Sequence, residues 1–428
     1  MKTTGLRPAE NIARTMTRLY DNRLTTTSGG NLSIMDEEGN LWISPSGIDK
    51  AHLTAEDIMK VTPEGEIIGK HRPSTEYPFH RAILRSRPDL HAVLHAHPAA
   101  LVAYSLERKL PELNMMPGVS ELCGKIAIAK YALPGSSRLG EYISTEFANG
   151  CDTVLLENHG VVLGADSLEK AYMMFEALDF AARTGVAAAM LKRDARVLGA
   201  AELELKARLT LLPDTLAEEA PEGDTELRNS VISMIKRCYK NTLFTAATGV
   251  YAAKEKDGSF IITPDGEDRG MLTPDMLVRV KDGQCEAGKK PSRYAELAAK
   301  IFAAHRDIKS LALSRCPYAM GFAVTGAEFN SHLIPEGYIC LRNVARFPYG
   351  TIENSPESIV SAISMKTPII FIENDLIIVA GTDPLNAYDR LEVLEFGAQS
   401  LCYIETMNGR IVPISDAEIR EIEVAFGL

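Results

Sequence analysis

Histidines in the first half of the chain have a spacing that suits a bound metal ion. His91, His95 and His97 lie close together in one short stretch. Successive side chains of a β-strand alternate between its two faces, so in a strand all three would project from the same face. Two imidazoles placed in this way can hold one zinc, cobalt or manganese ion. The pair alone also allows a plainer interpretation, a polar strand whose histidines satisfy backbone groups at a sheet edge.

Two more residues could complete a metal site with this pair. His159 interrupts two apolar runs in LLENHGVVL, and Gly160 beside it permits the sharp backbone that would aim an imidazole into a site. Glu76 lies in PSTEYPFH at the predicted start of a helix, where a carboxylate is also favourable through the helix dipole alone. Each of these residues is ambiguous when it is considered singly.

The chain carries the same sequence pattern twice. Residues 44–61 return as residues 263–280, a displacement of 219, and residues 155–172 return as residues 371–388, a displacement of 216. Similar segments in the same order at nearly one displacement indicate a tandem duplication.

The duplication acts as an internal control for the candidate metal ligands. All four polar candidates change between the copies, whereas the apolar positions and the turns persist. The replacements are Ser314 for His95, Cys316 for His97, Asp375 for His159, and Ala295 or, in a shifted alignment, Tyr294 for Glu76. Because both copies would need a structural residue, coordinated loss indicates a functional set. The sequence therefore predicts one divalent-metal site per chain, formed by Glu76, His95, His97 and His159.

Small polar residues and glycines near this set predict a phosphate site. They lie at residues 28–31 and 44–47, and Ser74 and Thr75 add hydroxyl groups at a helix start. Backbone N–H groups in such turns and at helix N-termini bind phosphate. Ordinary turn formation explains the same residues equally well. In the second copy an aspartate replaces Ser46, which would repel a phosphate, so the site is expected in the first copy only.

The elements that position these residues are strands and helices mixed within each copy. Helices are predicted at residues 8–22, 74–86 and 167–183, with a short capped helix in LTAEDIMKV that begins at Thr54. Strands are predicted in NLSIMD and LWIS, at residues 90–97, and in two parts within residues 153–163. This mixture in one compact unit predicts a layered α/β domain.

The predicted organisation is two domains joined by a linker. Residues 1–205 form the first domain, residues 206–227 the linker, and residues 228–428 a degenerate second domain without the metal ligands. The linker contains two prolines and several acidic residues, a composition typical of a solvated connection.

Composition and charge exclude several kinds of protein. The net charge of −11 argues against a nucleic-acid or acidic-membrane partner. Seven widely spaced cysteines with no C-x-x-C do not indicate a disulfide framework or a zinc knuckle. The first residues are polar, and no stretch approaches the roughly 18 apolar residues of a membrane span. We therefore expect a cytoplasmic protein that acts on a small molecule.

The motifs SGGNLS, SPSGI, PSTEYPFH, HAHP and ENHG, in this order, resemble the class II aldolase/adducin family, typified by L-fuculose-phosphate aldolase. The resemblance covers residues 7 to about 195 and, in degraded form, the second half. It implies a three-layer α/β/α domain with a largely antiparallel sheet, present twice in this chain. It also implies a ring of four domains with active sites between neighbouring subunits. A two-domain chain could build this ring as a homodimer, with the second copies at alternate positions.

The resemblance assigns roles to the candidate residues. His95, His97 and His159 would be the metal ligands, and Glu76 would be both the acid/base carboxylate and a ligand in the resting enzyme. The residues that would surround the substrate phosphate are Asn31, Ser46, Gly47, Ser74 and Thr75. The metal, with zinc expected ahead of manganese or cobalt, would act as a Lewis acid on a developing enediolate.

The implied reaction is that of a metal-dependent lyase. A class II aldolase would cleave a ketose 1-phosphate to dihydroxyacetone phosphate and an aldehyde. In the family pattern, a tyrosine from the neighbouring subunit, shortly after the histidine pair, assists the aldehyde half of the reaction. The corresponding stretch here, LNMMPGVSELCG, contains no tyrosine, and Glu121 is the nearest polar candidate.

Three other functions remain open at this point. A pentulose-phosphate 4-epimerase of the same family would usually carry aspartate in place of Glu76. A dehydratase of a thio-sugar phosphate is another enzyme of the family. A non-catalytic adducin-like interaction module lacks the metal ligands, and therefore suits residues 228–428 alone.

Overall fold

The structure, a computed structural model, describes residues 6–205, 212–216 and 224–428. Most of the predicted linker, residues 206–211 and 217–223, lies outside the described residues. By their internal contacts the residues form two compact units. One consists of Met1–Leu113 with Val119–Ala182, and the other of Asn114–Gly118 with Arg183–Leu428. The domain boundaries predicted from the sequence stay a prediction.

The two sequence repeats supply the same succession of strands. The first repeat contains α1 (Pro8–Asp21), β1 (Asn31–Met35), β2 (Leu41–Ile43), β3 (Met59–Val61), β4 (Ile67–Ile68), α2 (Tyr77–Ser86), β5 (Ala92–Ala96), α3 (Ala99–Glu107), α4 (Val119–Cys123), β6 (Ile126–Ala129), α5 (Ser137–Ala148), β7 (Thr153–Leu156), β8 (Val161–Ala165), α6 (Leu168–Met190) and α7 (Ala200–Leu203).

The second repeat contains α8 (Asp224–Lys240), β9 (Val250–Lys254), β10 (Phe260–Ile262), β11 (Val278–Lys281), β12 (Gln284–Cys285), α9 (Ala295–Ala304), β13 (Ser310–Ser314), α10 (Pro317–Thr325), α11 (Pro335–Leu341), β14 (Val344–Phe347), α12 (Thr351–Asn354), α13 (Pro356–Ala362), β15 (Ile369–Ile372), β16 (Leu376–Gly381), α14 (Pro384–Thr406) and α15 (Asp416–Phe426). Single 3-10 turns occur at Lys50–His52, Ala55–Asp57, Arg269–Met271 and Pro274–Met276.

Each repeat forms an eight-stranded sheet, and the two sheets have the same strand order. The orders are β4-β3-β2-β1-β5-β8-β7-β6 and β12-β11-β10-β9-β13-β16-β15-β14. Neighbouring strands are antiparallel except for the edge pairs β6–β7 and β14–β15, which are parallel. The duplication and the three-layer α/β/α class with a largely antiparallel sheet are therefore confirmed.

The core of the first unit lies under helices α2 and α5. Phe79 and Ile83 from α2 pack with Ile143 and Phe147 from α5 in one buried cluster, together with strand residues such as Val154. Burying a side chain of this size contributes about 1.5–3 kcal/mol. This packing fixes α2, the helix that begins directly after Glu76.

The segment LTAEDIMKV departs from its prediction. Only Ala55–Asp57 is helical, as a single 3-10 turn, and the following residues form strand β3. Asp57 accepts hydrogen bonds from the backbone N–H and the hydroxyl of Thr54, which completes the cap within that turn. The alternating apolar residues beyond it pair with β2. The predicted short helix is wrong over β3 because a local capping signal competes with strand pairing that is remote in sequence.

Two other helices begin or end elsewhere than predicted. Helix α2 starts at Tyr77, because the Ser74 N–H donates to the Ser44 carbonyl at 3.1 Å and Pro73 bridges Pro45 in extended geometry. Helix α6 continues past Arg183 to Met190. Across the described ranges, none of the helices combines the length and the apolar character that crossing a membrane requires.

Candidate metal centre

Strand β5 carries the histidine pair to the centre of its sheet. His95 pairs with Asn31 on one side and with Val162 on the other, and its side chain is fully buried. His97 follows directly after the strand, and its Nε2 lies 2.9 Å from His95 Nε2. His91, which precedes the strand, is exposed and does not join the pair. The two imidazoles therefore aim the same ring nitrogen at one point.

His159 reaches the pair from the turn between β7 and β8. The turn closes through a hydrogen bond from the Leu156 N–H to the Gly160 carbonyl at 2.7 Å, with Asn158 in the left-handed region at φ 55°. Asparagine tolerates this conformation better than most residues. The His159 ring centroid lies 4.8 Å from that of His95. One ligand atom from each of the three histidines lies within 4.8 Å of the others.

Glycines allow these rings to approach the backbone. A Cβ at Gly160 would lie 2.4 Å from Cδ2 of His97 and 2.6 Å from the Ala96 carbonyl oxygen. A Cβ at Gly29 would lie 2.9 Å from Nδ1 of His97. Gly160 and Gly29 are therefore needed for space around His97, which is a more specific role than turn formation.

Glu76 completes the set from the residue that precedes α2. Its Oε2 lies 3.4 Å from Nε2 of His95, and its Oε1 lies 4.0 Å from Nε2 of His159. Asn31 Nδ2 donates to Oε2 at 2.8 Å, whereas Oε1 is buried without a hydrogen-bond partner. This buried carboxylate oxygen beside the histidine cluster lacks the partner it needs, and a cation would supply one.

The protonation of the histidines suits a metal ion. His95 Nδ1 lies 2.9 Å from the Val161 carbonyl oxygen, which can only accept a hydrogen bond. The Nδ1–H therefore donates, and Nε2 keeps its lone pair. Burial lowers the pKa of His95 and of His97 to about 3, and it also lowers the pKa of His159. Neutral imidazoles with one carboxylate are the donor set of a divalent transition metal, so the residues present fit such an ion.

The candidate phosphate residues lie on two paired segments beside this set. The Ser46 N–H donates to the Arg72 carbonyl at 2.9 Å, and Gly47 adopts φ 71° with open space around it. Ser74 Oγ accepts from the Glu76 N–H at 3.3 Å, which joins the hydroxyl-bearing segment to the carboxylate. Thr75, the fourth of these residues, follows Ser74 on the same segment. The fifth, Asn31, instead donates an amide N–H to Glu76.

Two residues that the sequence analysis overlooked orient Glu76. His80 Nε2 contacts Asn31 Oδ1, and its Nδ1 lies 2.7 Å from Ser33 Oγ. Because the Asn31 amide nitrogen donates to Glu76, its oxygen must accept, and His80 is therefore protonated on Nε2. Burial lowers the pKa of His80 well below its ordinary value, so this ring is neutral. The hydrogen-bond chain runs from Ser33 through His80 and Asn31 to the carboxylate.

Lys50 is a third residue without a predicted role. Its side chain is buried, and its Nζ donates to the Pro45 carbonyl at 2.6 Å, next to the candidate phosphate turn. Burial lowers the pKa of Lys50 to about 8. A lysine in a turn is ordinarily solvated, so the sequence carried no signal for this position.

The second repeat has different chemistry at the corresponding positions. Asp375 accepts from Arg315 Nη2 at 2.9 Å, and the Ser314 hydroxyl donates to the Leu243 carbonyl. Cys316 is buried, and burial raises the pKa of its thiol well above the ordinary value. An arginine–carboxylate pair therefore lies where the first repeat brings imidazoles together.

Comparison with known proteins agrees with the duplicated architecture. The model of the Class II Aldolase and Adducin N-terminal domain matches residues 10–186 and again residues 229–402. A 3-oxo-tetronate 4-phosphate decarboxylase of Escherichia coli O6:H1 is 32% identical over 178 residues, which are 41% of this chain and 84% of that protein.

Two relatives with aldolase names are similar to the same extent. An L-fuculose phosphate aldolase of Methanococcus maripaludis is 36% identical over 163 residues, 38% of this chain and 86% of that protein. A 5-deoxy-D-ribulose 1-phosphate aldolase of Bacillus thuringiensis is 32% identical over 171 residues, 39% of this chain and 78% of that protein. Because the family model matches well over half of this chain, the chain belongs to the class II aldolase and adducin family.

Proposed function

We propose that this chain is a metal-dependent lyase that cleaves a ketose 1-phosphate into dihydroxyacetone phosphate and an aldehyde. The observation that carries the proposal is the buried Oε1 of Glu76, which has no hydrogen-bond partner and lies 4.0 Å from His159 Nε2, beside the cluster of three histidines. The two aldolase relatives, whose names specify a fuculose phosphate and a 5-deoxyribulose 1-phosphate, support the substrate class.

In this proposal Glu76, His95, His97 and His159 hold a divalent metal, zinc before manganese or cobalt. When bound, such an ion acts as a Lewis acid that polarises a substrate carbonyl. The candidate phosphate residues, Asn31, Ser46, Gly47, Ser74 and Thr75, bind the other end of the substrate. Holding the substrate at both ends places the bond to be broken beside the carboxylate, and such positioning lowers the barrier of the reaction.

Glu76 is the residue that moves the proton. Cleavage of the carbon–carbon bond leaves its electron pair on the carbon next to the carbonyl, and a proton must then reach that carbon. The amide of Asn31 holds Oε2, so Oε1, a metal ligand only in the resting enzyme, is the oxygen that would take the proton from the hydroxyl group that becomes the aldehyde and pass it to that carbon. A correctly placed general acid of this kind accelerates a reaction by roughly 10²–10⁴-fold.

Decarboxylation of a 3-oxo sugar-acid phosphate is a second candidate. Loss of carbon dioxide also leaves an electron pair on the carbon next to a carbonyl, so Glu76 would deliver a proton to that carbon in the same way. Carbon dioxide departs without giving up a hydroxyl proton, whereas an aldehyde forms only when such a proton is removed. The absence of a tyrosine in LNMMPGVSELCG and the decarboxylase relative favour this candidate.

Product analysis with the metal-reconstituted full chain separates the candidates. A panel of ketose 1-phosphates is scored for dihydroxyacetone phosphate, and 3-oxo-tetronate 4-phosphate is scored for carbon dioxide. We expect dihydroxyacetone phosphate release that Glu76→Gln lowers by about 10²–10⁴-fold, with the exposed Glu66→Gln as the unaffected control. Release of carbon dioxide without dihydroxyacetone phosphate would contradict the aldolase proposal and identify a decarboxylase. Formation of an epimeric pentulose phosphate would identify a 4-epimerase.

A further inference from the structure

Lys50 joins the two turns that carry candidate phosphate residues. Its backbone N–H donates to the Thr27 carbonyl at 3.1 Å, directly before residues 28–31. Its ammonium group donates to the Pro45 carbonyl at 2.6 Å, in the other turn. Only 2% of the surface of Lys50 is exposed. The ammonium nitrogen is therefore buried beside the turn that contains Ser46.

The ammonium group of Lys50 has no counter-charge among the described residues. No carboxylate there forms an ion pair with it, and burial alone lowers the pKa of Lys50 to about 8. The adjacent acid, Asp49, accepts a hydrogen bond from the Ala51 N–H instead, and its other oxygen lies 2.8 Å from the His52 ring. A buried ion without an opposite charge is unfavourable. The first repeat therefore favours an anion that comes from outside the chain.

The second repeat keeps the cation and adds counter-charges of its own. Arg269 corresponds to Lys50 by the displacement of 219, and it is 4% exposed. Burial lowers the pKa of Arg269 to about 10, and the negative charges of three nearby carboxylates oppose this effect. These carboxylates belong to Asp265, Glu267 and Asp268. In this repeat the polypeptide itself balances the buried charge.

The first repeat has the same turn without two of these carboxylates. Ser46 and Ile48 occupy the positions of the two lost acids. The backbone of the turn is unchanged, since Gly47 and its counterpart Gly266 have φ 71° and 74°. Both repeats thus keep the turn and the buried cation, which the fold needs. The source of negative charge differs between them, which indicates a difference in function.

We propose that Lys50 supplies the positive charge that binds the substrate phosphate, and that this phosphate replaces the counter-charge that the second repeat carries in its chain. The inference rests on the proposed function and deepens it, because the five candidate phosphate residues are all uncharged. The Ser74 N–H donates to the Ser44 carbonyl at 3.1 Å, so the segment with the other hydroxyl groups lies at the same turn. Neutral donors together with one cation suit a phosphate dianion.

A buried ammonium group selects its ligand by charge. A sugar without phosphate would leave Lys50 without a counter-ion, whereas a phosphate ester supplies one. Lys50 lies at the phosphate turn, and the proposed proton transfer belongs to Glu76. Loss of the lysine charge should therefore raise KM for a ketose 1-phosphate much more than it lowers kcat.

Equilibrium dialysis of radiolabelled inorganic phosphate against the full chain, with and without metal, tests the proposal. Lys50→Met removes the charge, whereas Lys50→Arg keeps it with the residue type that the second repeat has there. We expect Lys50→Met to weaken phosphate binding by about 10–100-fold, as the loss of one hydrogen bond between charged groups would. Lys50→Arg should retain most of the affinity. Lys125→Met is the matched control, since this exposed lysine also donates to a backbone carbonyl, that of Asn149 at 3.0 Å.

Ser46→Asp provides a measurement that needs no ligand. The new carboxylate would give Lys50 the kind of counter-charge that Asp265 gives Arg269. Without phosphate, we therefore expect a higher urea midpoint of unfolding, followed by the fluorescence of Trp42. The increase should disappear in the double variant with Lys50→Met, because the carboxylate then has no cation to balance.

Several results would overturn the proposal. They are wild-type phosphate affinity in Lys50→Met, an equal loss of affinity in Lys125→Met, and a Ser46→Asp chain that is no more stable than the wild type. Phosphate binding that Arg269→Met abolishes would place the ion in the second repeat, and binding only in the presence of metal would place it on the metal. If binding depends on Lys50 but no form of the chain cleaves a ketose 1-phosphate, the proposed function fails and the phosphate site stands.

Discussion

The carboxylate of Glu76 has two oxygens with different surroundings. Oε2 ends the hydrogen-bond chain that begins at Ser33, and Oε1 is buried without a partner. The chain consists of neutral groups, so it can orient the carboxylate without supplying a competing charge. A proton-transfer group and a metal ligand can therefore reside on one side chain.

Replacing Gly160 by alanine should weaken metal binding. The new Cβ would meet both the His97 ring and the Ala96 carbonyl oxygen, and the backbone oxygen cannot yield as a flexible side chain would. We expect a loss of about 10–100-fold in metal affinity, the range found when the support of a ligand is disturbed. Competition with a fluorescent chelator measures it. Gly140→Ala is the control, since its Cβ would meet Phe79 Cβ at an ordinary 3.6 Å.

Removing the Ser33 hydroxyl should destabilise the first unit. His80 would lose its partner at Nδ1 inside the core, which costs about 1–3 kcal/mol. Trp42 is the one tryptophan of the chain and lies in this unit, so its fluorescence in urea follows the unfolding of the unit. Ser144→Ala should change little, because the buried Ser144 Oγ has no hydrogen-bond partner among the described residues. Equal effects of the two substitutions would contradict the role of Ser33.

Acid should destabilise the metal-free protein. His80 and His95 are fully buried, and burial depresses the pKa of both, that of His95 to about 3. In the unfolded chain these histidines bind protons near pH 6.5, whereas in the folded chain they do not. Their contribution to the free energy of unfolding is therefore full above that pH and is lost as the pH falls below it. Each histidine contributes up to about 1.4 kcal/mol per pH unit in this window. Urea titrations of Trp42 fluorescence at pH 7.5 and 5.5 measure the loss, and equal midpoints would contradict it.

At the level of the elements, helix α2 is held at both ends. Its first turn follows Glu76, and Arg87 at its last turn donates to the Phe147 and Cys151 carbonyls and to Asp152. These bonds connect α2 to the end of α5 and the start of β7. The position of Glu76 therefore depends on contacts at the far end of its helix.

Replacing Arg87 by alanine tests this attachment. The Arg87 side chain is 18% exposed, and these three bonds are lost together with its exposed pair with Asp89, so we expect a loss of about 1–3 kcal/mol in unfolding free energy. Metal affinity should fall by less than in Gly160→Ala, since no ligand is displaced. Arg138→Ala removes an exposed arginine of α5 that bonds only the Tyr142 hydroxyl in the described structure, and should change the urea midpoint little.

The sequence predicted the strands that have a local pattern and the site residues that the comparison of the two repeats distinguishes. Strand β5, which contains His95 and ends just before His97, followed from its alternation, and the joint loss of His159 and Glu76 in the second copy indicated a functional set. His80 was overlooked because a histidine within a helix gives no sign of the buried Asn31 that it meets. Strand β3 was mistaken for helix because its pairing partner lies elsewhere in the sequence. Asn114–Gly118 belongs to the second unit, where Asn374 Nδ2 donates to the Met115 carbonyl, and nothing in those five residues specifies this partner.

For the whole molecule, the duplication predicts one metal ion per chain. The described residues contain one cluster of histidines that could hold an ion, and the corresponding positions of the second repeat hold Arg315 and Asp375. Elemental analysis of the reconstituted chain should find one zinc, manganese or cobalt ion, and His95→Ala should abolish it. His52→Ala, at an exposed position, should not. Two ions per chain would show that the second repeat has kept a metal site of its own.

The bond between Arg315 and Asp375 makes the folding of the second repeat independent of the supply of metal ions. The guanidinium is part of the polypeptide, so this repeat carries its own permanent counter-charge from the moment of synthesis. The second repeat should therefore fold in the same way whether or not a transition-metal ion is present.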